Sequence, residues 1–241
     1  MKKFLLVFGS LLLGLVAYQF ATLPDVSNLK KENPQVTALM RQREREAGGK
    51  KIRRYQIWVP QSAISSHLKT AVLIGEDGAF YQHQGYDLEE IKQSFLKNWE
   101  KKGLVRGGST ITQQLAKNLY LSTSKNPLRK LNEFLIARRI EEELTKRRIL
   151  EIYLNVIEWG QGIYGAEAAS RTYFNTSAKE LSIREAVLLA AMIPNPRRLT
   201  PSRVSGQLKY RFQMILSRMQ QYHHISAEEY ELALNSLNPT P

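Results

Sequence analysis

The chain contains no cysteine, which excludes disulfide bridges and thiolate metal sites. Histidine is scarce too: His67, His83, His223 and His224 are the full set, and they form no metal-binding pair at helical spacing. Strand signals are nearly absent after residue 60, and there is no internal repeat or low-complexity tract, so the domain should be mainly α. The phosphate-binding fingerprints are missing as well. Gly107-Gly108 lacks the GxxxxGK[ST] spacing, and Gly160, Gly162 and Gly165 follow no predicted strand and have the wrong intervals for a dinucleotide loop. Acidic residues are outnumbered, 22 Asp and Glu against 35 Lys and Arg, a formal net charge of +13. That balance calls for an anionic partner: nucleic acid, an anionic membrane surface or a phosphorylated substrate.

The N-terminus narrows the choice. Met1-Lys2-Lys3 precedes a stretch from Phe4 to Leu23 with no charged residue, long enough to cross a bilayer as a helix. A cleaved signal peptide is the competing reading, but Leu15-Val16-Ala17 is a poor small-x-small cleavage site. Residues 1–23 are therefore expected to be a cytoplasmic tip and uncleaved anchor, with Lys2 and Lys3 inside. Residues 24–60 read as a membrane-proximal connector carrying the basic cluster Lys50-Lys51 and Arg53-Arg54 and a short strand or extended segment, with Tyr55, Ile57 and Val59 alternating, that ends at Pro60. Residues 61–241 would be the functional domain, outside the cytoplasmic membrane. Nucleic acid then drops out as a partner; membrane lipid or a lipid-linked substrate remains.

Two glutamates project from apolar helical faces in that domain. Leu68, Ala71, Val72 and Gly75 mark one face of a helix capped by Ser65 or Ser66, and Glu76 falls next on it. Glu133 shares a face with Ala137, Ile140 and Leu144. A carboxylate on a core-facing stripe is costly unless it has partners or a task. Taken alone, each is more economically a satisfied structural carboxylate. Two cationic elements change that balance. After Gly107-Gly108, Ser109 or Thr110 can cap a helix that carries Thr110, Gln114 and Lys117 along one polar line, an arrangement suited to an anion. Arg129-Lys130 stand in the first turn of a helix starting at Asn126-Pro127, where the dipole disfavours cations, so something negative is expected beside them. Paired carboxylates suggest glycosyl chemistry and the cations a phosphate. A sugar carried on a lipid pyrophosphate satisfies both.

These blocks also resemble a known family, the peptidoglycan glycosyltransferases of glycosyltransferase family 51. The resemblance rests on Glu76-Asp77-Gly78-Ala79-Phe80-Tyr81-Gln82-His83-Gln84-Gly85, then Gly107-Gly108-Ser109-Thr110-Ile111-Thr112-Gln113-Gln114 with Lys117-Asn118. Arg129-Lys130 with Glu133, Ala137 and Glu141 follow, then Ile149-Leu150-Glu151-Ile152-Tyr153-Leu154-Asn155 and Tyr164-Gly165. Several ordered blocks are far more specific than any one motif. With Pro241 as its last residue, the chain is expected to be a monofunctional member, without the transpeptidase domain of bifunctional penicillin-binding proteins.

The resemblance implies a lysozyme-like α-helical glycosyltransferase domain following one transmembrane helix, with a mobile, membrane-contacting region around residues 87–106. It implies polymerisation of lipid II onto the nascent glycan strand at the inner membrane, with the catalytic domain in the periplasm, inversion to β-1,4 bonds and release of undecaprenyl diphosphate. Glu76 would deprotonate the acceptor GlcNAc 4-hydroxyl. Glu133 would sit in the donor site, with Mg2+ or Mn2+ as a conceivable cofactor through it. Lys117, Arg129 and Lys130 would bind phosphate, while Asp77, Phe80, His83, Ser109, Thr110, Gln114 and Asn118 would shape the substrate cleft. The block from Arg197 to Arg211 matches loosely and receives no role. Division or elongation proteins are conceivable partners through the anchor. Two rivals remain: a lytic, lysozyme-like glycan-cleaving enzyme and a non-catalytic membrane-anchored scaffold.

Overall fold

The computed structural model describes residues 22–48, 53–89, 91–93, 108–121 and 127–237. The expected anchor, apart from Thr22 and Leu23, and most of the 87–106 segment lie outside these residues. Among the described residues no helix is long and apolar enough to cross a membrane.

The domain is mainly helical. Around α1 (Ala38–Glu46) and α2 (Ser66–Glu76) come α3 (Ile111–Tyr120), α4 (Pro127–Glu143), α5 (Lys146–Val156), α6 (Ala166–Phe174), α7 (Ile183–Met192), α8 (Gly206–Gln221) and α9 (Ala227–Asn235). Side chains set the helix starts: the hydroxyls of Ser65, Thr110, Thr145, Ser182 and Ser205 accept the first free backbone N–H groups of α2, α3, α5, α7 and α8. α7 is apolar on all sides, with Ala186 to Met192 all buried, and forms the central post. α2 packs on α7 and α8, while α3 packs on α1, α4 and α5. Glu76, at the end of α2, lies on the seam between these two groups.

Strands are more numerous than the sequence suggests. β1 (Tyr55–Gln56) pairs in parallel with β3 (Ile163–Tyr164), which pairs antiparallel with β2 (Glu158–Gly160), in the order β1-β3-β2. Runs of two or three residues are too short to show a period of two, so the glycines around them read as loop. Gly165 is required here. Its φ is 85°, and a Cβ would come within 2.7 Å of the Asn155 carbonyl oxygen. Trp159, fully buried, donates its indole N–H to the Leu189 carbonyl at 2.9 Å and ties the hairpin to α7.

The segment before α1 packs into the body. Leu23, Val26 and Leu29 belong to the core. Arg148 holds the segment by donating to the carbonyls of Leu29 (2.8 Å) and Glu32 (2.9 Å) and to Asn33 Oδ1 (2.8 Å). α1 escapes notice in the sequence because it is polar except for Leu39 and Met40.

Candidate active site

Glu76 ends α2, and its side chain is 10% exposed. Both carboxylate oxygens accept hydrogen bonds. Arg211 Nη2 on α8 donates to Oε1 at 2.8 Å, and Gln114 Nε2 on α3 donates to Oε2 at 2.9 Å. The Gln114 amide is itself oriented, because the Tyr153 hydroxyl on α5 donates to its Oε1 at 2.9 Å. Burial pushes the Glu76 carboxyl above the ordinary glutamate range, opposed by Arg211, Gln114 and, more distantly, Lys117.

Glu133 has a different environment. Its side chain is 4% exposed, and its two oxygens are taken by two cations on its own helix: Arg129 Nη1 at 2.6 Å on Oε2, and Lys130 Nζ on Oε1. These are the cations whose position against the helix dipole called for a negative neighbour. Lys130 also reaches Ser109 Oγ at 3.0 Å and Gln113 Oε1 at 3.4 Å, so it links α4 to the start of α3.

Lys117 lies between the two carboxylates and is attracted by both. Its ammonium makes no hydrogen bond or ion pair among the described residues. Burial, reinforced by Arg129 and Lys130, pulls its ammonium below the usual lysine range against the attraction of Glu133 and Glu76. A half-buried ammonium without a direct partner, beside two others, is a site with unmet demand for an anion.

The block after Glu76 serves to hold α3. Asp77 Oδ2 accepts from the Ile111 backbone N–H at 2.9 Å, while Oδ1 meets His83 Nε2 at 2.9 Å. The Gly85 N–H donates to His83 Nδ1 at 3.2 Å, so the ring proton sits on Nε2 and points at Asp77. Thr110 spends its hydroxyl twice, donating to the Gly85 carbonyl at 2.7 Å and accepting from Gln113 N–H at 3.2 Å. The anion anticipated at the start of α3 is thus supplied internally, by Asp77. Phe80, 1% exposed, lies under Lys146, whose Nζ is 4.4 Å from the ring centroid; Lys146 pairs in turn with Glu141, which accepts from Thr112. Asn118 is buried one turn beyond Gln114.

Arg211 and Tyr153 are the partners that sequence reasoning passed over. Arg211 had a visible signal: it lies three residues after Leu208 and four before Ile215, on the buried stripe of α8. A cation on an apolar face carries the same message as a glutamate there.

Both Glu133 oxygens accept from cations of its own helix, and no group of three or more His, Asp or Glu side chains converges among the described residues. A divalent cation at Glu133 would have to displace Arg129 or Lys130 and complete its shell with phosphate oxygens and water.

Comparison with known proteins shows the family. The Transglycosylase family model matches residues 44–220. A biosynthetic peptidoglycan transglycosylase of Methylobacillus flagellatus is 51% identical over 162 residues, covering 67% of this chain and 71% of that protein. One from Nitrosospira multiformis is 45% identical over 205 residues, covering 84% of this chain and 89% of its own length. A third, from Chromobacterium violaceum, is 53% identical over 162 residues, 67% of this chain and 71% of that protein.

Proposed function

The chain belongs to the transglycosylase family and is a peptidoglycan glycosyltransferase; from that premise we propose how its residues divide the reaction. The substrates are lipid II and the nascent glycan strand. Glu76, as a carboxylate, accepts the proton of the acceptor GlcNAc 4-hydroxyl while that oxygen attacks the anomeric carbon of the donor from the face opposite its diphosphate. The C–O bond to the diphosphate breaks, undecaprenyl diphosphate leaves, and the new bond is β-1,4. A diphosphate leaves with its charge already developed, so it needs cations more than a proton donor. Lys117, Arg129 and Lys130 provide them, and Glu133 holds the latter two in place until the diphosphate competes for them. Asp77, His83, Ser109 and Thr110 support α3, from which Gln114, Lys117 and Asn118 face the cleft.

The observation that carries this reading is the state of Glu76: a buried carboxylate that accepts hydrogen bonds on both oxygens, across α3 from the cations. A raised carboxyl pKa also suits the general acid of a lytic enzyme, the second reading. Donors on both oxygens favour the ionised form, and an acid catalyst would have no use for the cations.

The finer placement is part of the same proposal: a lysozyme-like domain in the periplasm, held to the inner membrane by a single helix over Phe4 to Leu23 and by contact with membrane lipid. Incubating the detergent-solubilised full chain with lipid II, and separately with finished peptidoglycan, tests the reaction. Glycan polymer from lipid II and no shortening of peptidoglycan is expected. Shortening without polymer would establish the lytic reading, and neither activity the scaffold.

A further inference from the structure

Arg211 is separated from Glu76 by the whole domain in sequence, and three features of the fold bring it there. Gly75 is the first: a Cβ at that position would stand 3.0 Å from Ile215 Cδ1, so glycine is what lets α8 lie this close to the last turn of α2. The second is the stripe of α8, where Leu208, Phe212, Ile215 and Met219 are buried and turn the neighbouring Arg211 inward. The third is a tether. Arg211 Nε donates to the Ala191 carbonyl at 3.1 Å, in the last turn of α7, where carbonyls lack helical partners and the dipole favours a cation. The guanidinium is therefore fixed at one end by backbone and at the other by Glu76 Oε1 at 2.8 Å, with its own side chain 19% exposed.

We infer that Arg211 is a positioning residue for the transfer: held between the Ala191 carbonyl and Glu76 Oε1, it orients the Glu76 carboxylate and supplies the counter-charge in contact with it. The inference rests on Glu76 being the base. The groups facing Glu76 make the assignment specific. From α3 come the neutral Gln114 amide and, at longer range, Lys117; from α5 comes the hydroxyl of Tyr153, behind Gln114. Asp77, next in the chain, is taken up by His83 and Ile111. Arg211 is thus the cation in contact with Glu76. Its hydrogen bond occupies one of two lone pairs on Oε1 and leaves room on the carboxylate for a hydroxyl proton. A fork tethered at both ends loses less freedom per hydrogen bond than a lysine would.

The test is the pH dependence of kcat/KM for lipid II polymerisation by the full chain in detergent, for the parent, Arg211→Gln and Arg211→Lys. Activity of the parent falls on the acid side as Glu76 takes up a proton. Without the guanidinium the proton binds more tightly. For Arg211→Gln the acid limb should therefore move up by about one pH unit or more, a loss of about tenfold at a fixed pH on that limb, recovered as pH rises. KM should change little, since the guanidinium is already taken up by the Ala191 carbonyl and Glu76. Arg211→Lys keeps the charge but cannot span both tethers, so its limb should shift upward by a smaller amount. A loss in Arg211→Gln that is equal at all pH values marks a merely structural residue and overturns the inference. A limb unmoved from the parent's does the same. If Arg211→Gln does not fold, Arg211→Lys decides alone: a profile superimposable on the parent's overturns the inference, and an upward shift supports it. Glu76→Gln, run alongside, separates the two levels. Polymerisation at the parent's rate in that variant refutes the base assignment itself, and with it the role of Arg211.

Discussion

Glu76 and Glu133 are both glutamates on apolar helical faces, both buried, both accepting two donors, yet their surroundings differ in one respect. Glu76 has a single cation and a neutral amide, contributed by two other helices. Glu133 has two cations, both from its own helix within one turn. The first arrangement leaves a carboxylate whose proton affinity burial raises, which suits proton transfer. The second is a charge-rich cluster in which the carboxylate neutralises cations that a diphosphate can claim. Lys117 lies between them, attracted by both and bonded to neither. Burial alone does not define a catalytic carboxylate; the number and mobility of its counter-charges decide which task it can perform.

The sharpest way to break the comparison is at Lys117. Lys117→Met should lower kcat/KM by about 10²–10³-fold, the size typical of removing one preorganised stabiliser of developing charge. The same change should raise the melting temperature, because folding forces an ammonium without a direct partner into a site that disfavours its charge. Calorimetry beside the polymerisation assay checks both signs, and a drop in melting temperature would contradict the account. Glu133→Gln removes the shared counter-charge of Arg129 and Lys130, and urea denaturation should show a loss of about 3 kcal/mol, as when a buried pair is broken from one side.

A smaller effect is expected on the other carboxylate. Tyr153→Phe frees the Gln114 amide to turn over, and kcat should fall about fivefold, equivalent to about 1 kcal/mol for one neutral hydrogen bond. The smallest effect concerns stability against pH. A carboxyl raised by folding stabilises the protein at pH below the unfolded glutamate value, and that contribution is lost as pH rises through the folded value. Between the ordinary glutamate range and the raised value, the parent should therefore lose more stability than Glu76→Gln as pH increases. Parallel curves would place Glu76 outside a perturbing environment.

Much of this site was legible in the sequence because its marks are local. The position of Glu76 on the stripe of Leu68, Ala71 and Val72, the caps Thr110 and Thr145, and the dipole conflict at Arg129-Lys130 all concern residues within a few turns of each other. The conflict pointed to a nearby negative group, which is Glu133 on the same helix. What was not legible depended on contacts distant in sequence. Arg211 is 135 residues from Glu76, and its inward direction depends on how α7 and α8 pack. The start of α3 read as an open anion site because nothing local shows that Asp77, 34 residues earlier, already fills it. β1 falls within the alternating run of Tyr55, Ile57 and Val59, but β2 and β3 escaped notice because three and two residues are too few to show a period of two.

The most direct measurement of the division between the two carboxylates is a titration of Glu76 itself. In the detergent-solubilised full chain with 13C-labelled glutamate, the Glu76 carboxyl resonance is identified by its disappearance in Glu76→Gln and followed against pH. Its midpoint is expected above the ordinary glutamate value of about 4.3, and it should rise further in Arg211→Gln. A midpoint at or below that value in the parent would contradict the account, because Glu76 would then be a solvated, structurally paired carboxylate and no better a base than any on the surface.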